Sequence, residues 1–191
     1  MSAVASPTAL AHDARELAAL MLADRPERWR HTIGVARRAE ELVATVDSSH
    51  DADLLVAAAW LHDIGYAAAL HDTGFHPLDG ARYLDRCRWP IRVAALVANH
   101  SGALTVARVR GLADLMAPYP HEQSPVSDAL IYADQTVGPN GQTMTPEHRL
   151  AEVLSRHGPG SPQAVAHPER APILLAAIHR VEQRLLEVAA R

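Results

Sequence analysis

The chain contains no lysine; all 18 of its fixed basic residues are arginine. That excludes a lysine Schiff base and a lysine general base. It leaves arginine as the side chain for gripping phosphate or carboxylate. A single cysteine, Cys87, among 191 residues rules out an internal disulfide and agrees with a reducing compartment. Arg86 and Arg88 flank it, but no Cys–His signature accompanies it, so Cys87 reads as incidental. Aromatics are scarce, with one phenylalanine. No apolar run reaches the length of a membrane span, and the opening MSAVASPTAL lacks a basic region followed by an apolar core. The expectation is a cytoplasmic protein with no membrane partner. There is no long basic stripe, and the formal net charge is −4, so stable nucleic-acid binding is not expected. The local patch Arg25, Arg28, Arg30, Arg37 and Arg38 reads as a solvated helix face. Phosphate-cradling glycine loops, dinucleotide fingerprints and nucleophile elbows are missing too; Gly-Pro-Asn-Gly at 138–141 is a turn.

What is present points to helix. Hydrophobic residues make up 48% of the chain, and most are Ala, Leu and Val. The length suits one domain over 1–191 with a real core. The expected class is all-α. Helices are predicted from Thr8 to Leu22, from Pro26 to before Asp47, and from Asp51 or Ala52 through the apolar run LLVAAAWLHD. Gly65 then offers a stop. Pro77 and Pro90 can open two more helices, the second ending at His100-Ser101-Gly102. Leu104 to Met116 reads as helix broken at Gly111, and Ser127 as the cap of a helix through ALIYAD. Thr145-Pro146 starts a helix to about Arg156. Gly158 to His167 reads as linker, and Pro172 to Ala189 as the last helix. No segment alternates like a strand.

Twelve histidines are many for this length, and histidine is the commonest metal ligand. His-Asp occurs four times, at 12–13, 50–51, 62–63 and 71–72. His12-Asp13 sits in a polar helix and His71-Asp72 in a loop. Only His62-Asp63 closes a buried run. Burying that pair is costly unless the two are hydrogen-bonded to each other or bound to metal. His31 lies in the preceding helix, within RWRHTIGVARRAEEL, and Asp134 ends ALIYAD.

A histidine, a later His-Asp pair and a distal aspartate, in this order and helical context, resemble the HD-domain superfamily of metal-dependent phosphohydrolases. The resemblance covers about residues 25–138; the helices over about 145–191 match less specifically. It implies a compact multi-helix bundle in which His31, His62, Asp63 and Asp134 surround one metal. Branches with two metals, including the dinucleoside-polyphosphate hydrolases, carry histidines in the sections that here hold His76 and His100. By that resemblance those two hold a second metal, with Asp63 bridging. The cofactor expected is one or two divalent transition-metal ions, since two imidazoles and two carboxylates suit Mn, Fe, Co, Ni or Zn. Two departures stand out. Tyr66 and Gln135 occupy positions where many relatives carry lysine. Paired histidines and the GYP signature of cyclic-dinucleotide phosphodiesterases are absent, since Ser101 follows His100.

The expected function is hydrolysis of a nucleotide or other small phosphoester through a metal-activated hydroxide, with His62 and Asp63 at the catalytic centre. Arg37, Arg82 and Tyr66 are the candidate substrate contacts. Two alternatives use the same ligand list. One is a diiron oxygenase acting on a small organic substrate. The other is a non-catalytic regulatory protein that binds a ligand.

Overall fold

A computed structural model describes residues 9–190. The helices in chain order are α1 (Ala9–Met21), α2 (Pro26–Glu41), α3 (Ser49–Leu61), α4 (His76–Arg86), α5 (Ile91–Asn99), α6 (Ala103–Val109), α7 (Pro125–Gln135), α8 (Pro146–His157) and α9 (Pro162–Ala189). Among the described residues the only strand-like pairing is an isolated bridge between Val137 and Thr143. The class is all-α, as the composition implies. Among the described residues no helix is long and apolar enough to cross a membrane.

The central element is α3. Every side chain from Leu54 to Leu61 is buried, because α1, α2, α5 and α7 all pack around it. A helix apolar on every side can only be stable with neighbours on every side. Its start is fixed by Ser48, whose hydroxyl accepts from the Asp51 amide at 3.1 Å. Its last turn delivers His62 and Asp63 into the middle of the molecule, where both are buried.

Two helix starts, those of α7 and α9, differ in their capping residue from the sequence reading. Thr8 lies outside the described residues, and α1 begins at Ala9. The cap of α7 is Ser124, not Ser127: its hydroxyl accepts from the Ser127 amide at 3.1 Å, and Pro125 takes the first turn. Proline at that position gives up no hydrogen bond the helix needs.

The largest difference is α9. It starts at Pro162, with Ser161 as cap, and runs through Pro168 and Pro172 without a break. Each internal proline removes a backbone bond and costs roughly 3 kcal/mol in a helix interior. Burial offsets this. Ala166, Arg170, Leu174, Ala177, Ile178 and Val181 are buried along α9, which packs against α6, α7 and α8. The segment expected to be a linker is therefore a helical wall beside the histidines.

Candidate metal centre

Four segments converge on the carboxylate of Asp63, and its two oxygens face different partners. Oδ2 lies 3.5 Å from His62 Nε2 and 3.9 Å from His31 Nε2. Oδ1 lies 3.3 Å from His76 Nε2 and 4.0 Å from His100 Nε2. Two sets of donors thus share one residue: His31, His62 and Asp63 on one side, and Asp63, His76 and His100 on the other.

The rings are turned for this. His31 Nδ1 is 3.1 Å from the Gly138 carbonyl, His62 Nδ1 is 2.8 Å from that of Ala59, and His100 Nδ1 is 2.6 Å from that of Val97. A carbonyl only accepts, so each Nδ1 carries a proton; Nε2 of His62 and His100 is left to present a lone pair to the centre, while His31 Nε2 faces the Asp134 carboxylate. His62 Nε2 is buried with no hydrogen-bond partner. Leaving such an atom unmatched costs about 1–3 kcal/mol. A cation held between these lone pairs and Asp63 removes that cost, so the residues present fit one or two divalent ions.

The electrostatics agree. Burial alone would raise the Asp63 pKa, but His62, His76, His31 and Arg28 outweigh it and hold the carboxyl far below its usual range. Asp63 stays ionised. Burial also pushes His76 and His100 below the ordinary histidine value, the direction that favours the neutral form a metal ligand needs.

Local packing sets these positions. A Cβ on Gly65 would sit 2.0 Å from the His76 carbonyl oxygen and 2.8 Å from the Gly80 amide nitrogen. Gly65 is therefore more than the helix stop read from the sequence; it lets the turn after Asp63 press against α4. The loop before His76 is gathered by buried Asp79. That carboxylate accepts from the amides of Asp72, Thr73 and Gly74 at 3.3, 2.9 and 3.0 Å. Tyr66 stacks on His76 with ring centroids 4.0 Å apart.

Asp134 reaches the centre through His31, whose Nε2 is 3.0 Å from Oδ1. It stands outside the two tight donor groups. Its other oxygen accepts from the hydroxyl of Ser101 and, at 3.0 Å, from the amide of Gln135. Arg149 approaches Oδ1 at 3.4 Å. Ser101 holds this contact from a left-handed backbone, φ 51°, a conformation a non-glycine residue adopts only under local strain.

The model of the HD domain matches residues 28–155. The chain belongs to the HD-domain family. No curated protein and no solved structure matches it. An HD domain with this buried His/Asp cluster fits a metal-dependent hydrolase in general terms.

Placed in the HD-domain frame, five of the six expected ligands, His31, His62, Asp63, His76 and His100, form the two donor groups, and Asp134 joins them through His31. Of the expected substrate contacts, only Tyr66 lines the cavity beside it. Arg37 is exposed and Arg82 pairs with Asp72 at 2.7 Å on the surface; neither lines that cavity. The cations that do are Arg28, Arg149, Arg156 and Arg170. Arg28 carried a legible signal, since it stands one helical turn before His31. Arg149 and Arg170 carried none, because their proximity depends on how α8 and α9 fold back. Gln135 takes up the place of the family's lysine as a neutral donor to Asp134 and Ser101.

Proposed function

We propose that this HD-domain protein is a phosphohydrolase for a nucleotide or similar small phosphoester. One observation carries the reading: a shared carboxylate between two histidine sets lies in a cavity walled by four arginines. His31, His62, His76, His100, Asp63 and Asp134 would hold one or two divalent ions. When bound, such an ion supplies Lewis acidity, polarising a phosphoryl oxygen and acidifying water.

The chain's own groups do the remainder. Asp63, ionised, keeps both oxygens available as ligands. The carbonyls of Gly138, Ala59 and Val97 retain the Nδ1 protons, so the rings cannot turn away. Burial and the nearby Asp63 charge push the Tyr66 hydroxyl up to about 12, so it remains a proton donor at neutral pH. Arg28 lies over the Tyr66 ring at 5.1 Å and reaches Asp63 Oδ2 at 3.3 Å. It is placed to meet a phosphoryl oxygen at the same carboxylate.

The cavity beside the histidines is about 70 Å³, well under the roughly 300–1,000 Å³ of sites that enclose organic ligands. It suits a phosphoryl group. An adjoining groove of about 430 Å³ shares Arg28, Tyr66, Arg156 and His157 with it. The organic part of the substrate is assigned there.

The test is turnover of a phosphoester panel in a glove box, with chelated protein reloaded with manganese. Phosphate release without oxygen is expected. No product from any substrate, together with iron-dependent oxygen uptake, refutes the reading in favour of an oxygenase.

A further inference from the structure

Three of the four cavity arginines have a carboxylate partner. Arg28 pairs with Asp63 at 3.3 Å. Arg149 pairs with Glu152 at 2.6 Å and lies 3.4 Å from Asp134. Arg156 pairs with Glu152 at 3.3 Å. Arg170 differs. It is 7% exposed, and no carboxylate among the described residues comes within ion-pair distance. Its single hydrogen bond runs from Nε to the Ser101 carbonyl at 2.7 Å. Its two terminal nitrogens have no partner among the described residues, and the side chain lines the metal-side cavity.

A guanidinium cannot escape this burial by losing its proton. Burial pushes Arg170 down from the ordinary arginine value; the Asp134 charge opposes this through space and Arg149 adds repulsion, yet the group stays charged. Burying an unpaired charge costs several kcal/mol. The fold nevertheless makes room for it. The Arg170 stem lies against Gly102, where a Cβ would be 3.0 Å from Arg170 Cγ. Asp134 attracts Arg170 through space without pairing with it, which leaves the terminal nitrogens to meet an anion in the cavity.

We infer that Arg170 anchors a second, non-reacting anionic group of the substrate, so that the natural substrate carries at least two such groups. This rests on the hydrolase reading for what happens at the metals, but the anchor itself does not. One anionic group sits at the His/Asp centre; the other sits on the α9 wall. A planar guanidinium accepts either phosphate or carboxylate in paired hydrogen bonds.

The test uses full-length protein reloaded with manganese, calorimetric titration and two probes, pyrophosphate and methyl phosphate. Wild type should bind pyrophosphate more tightly. Arg170→Gln should weaken pyrophosphate by roughly tenfold or more and leave methyl phosphate nearly unchanged. Arg170→Lys should recover part of the loss. Phosphonoacetate, whose second group is a carboxylate, tells which oxyacid Arg170 prefers. A stability readout excludes a merely structural role, because glutamine can still donate to the Ser101 carbonyl. If Arg170 is held for a ligand, ligand-free Arg170→Gln melts at or above wild type. Equal pyrophosphate affinity in the variant overturns the inference. So does a fall in its melting temperature, and so does a wild type with no preference for pyrophosphate. Failure of the hydrolase reading looks different: pyrophosphate binds through Arg170, yet the manganese-loaded enzyme turns over no phosphoester.

Discussion

Replacing Gly65 by alanine tests whether packing between the 64–66 turn and α4 sets the second ligand group. The added methyl would lie 2.0 Å from the His76 carbonyl oxygen, 2.7 Å from its carbon and 2.8 Å from the Gly80 nitrogen. All three are backbone atoms, so no side chain can swing aside. Relief to an ordinary contact needs about 1 Å of separation between turn and helix, while metal ligands tolerate only about 0.2 Å. The same turn sets the 3.3 Å approach of Asp63 to His76. Gly65→Ala should therefore cost about 2 kcal/mol or more, as overpacking does. In a domain of this size that lowers the melting temperature by roughly 4–8 °C. Calorimetry on chelated protein measures the first effect. Elemental analysis of protein purified without chelator or nickel resin measures the second, with loss of one metal expected. Gly111→Ala is the control. Nothing lies within 4 Å of its Cβ, though its φ of +69° carries about 1–2 kcal/mol of strain. It should destabilise modestly and keep its metals. A Gly65→Ala protein that melts with wild type and retains full occupancy would refute the reasoning.

Asp63→Ala should empty both sites, whereas His76→Ala and His100→Ala should each lose one metal and keep the fold; unchanged stoichiometry in these variants would sink the bridging assignment. Ser101→Ala removes a hydroxyl that holds Asp134 and should weaken metal binding by about 10–100-fold, a loss that a competitive chelator titration reads directly. Arg92 joins Asp51 at 2.6 Å and Glu122 at 2.8 Å. Its hydrogen bond lowers the Asp51 carboxyl. Burial would raise Glu122, but Arg92 outweighs it, so both lie below their ordinary values of 3.8 and 4.5. Depressed carboxyls contribute stability above those values and lose it as pH falls through the folded ones. Arg92→Met should therefore cost up to about 1 kcal/mol at pH 7 after solvent screening and converge with wild type near pH 3; parallel melting curves across that window would count against it.

The sequence made the metal-facing half of this molecule readable. His62-Asp63 closes an unbroken apolar run, and such a pair cannot be buried idly. The run itself placed α3 at the centre. His31 and Asp134 were found through the resemblance to the HD-domain superfamily around that pair, and His76 and His100 through the resemblance to its two-metal branches. The substrate-facing half was hidden for a physical reason. Pro168 and Pro172 are ordinary helix-breaking signals, and only burial of Ala166, Leu174 and Ile178 against other helices overrides them. Reading Pro172 as a helix start left the segment bearing Arg170 outside any helix. Arg37 and Arg82 were local guesses about a cation that the fold brings from far along the chain. The role of Gly65 was likewise invisible, because a close approach between two backbones leaves no mark on composition.

Helix α9 runs through two prolines and places Arg170 beside the centre, outside the stretch of residues 28–155 that matches the HD domain. Arg156 lies just outside it as well. Two of the four cavity arginines, Arg156 and Arg170, thus come from outside the stretch that supplies the residues gathered around Asp63. Such a division gives the protein room to drift. Substitutions on α9 can trade one clientele for another while the histidines keep their places, and an engineer can follow the same route by randomising positions around Arg170 alone.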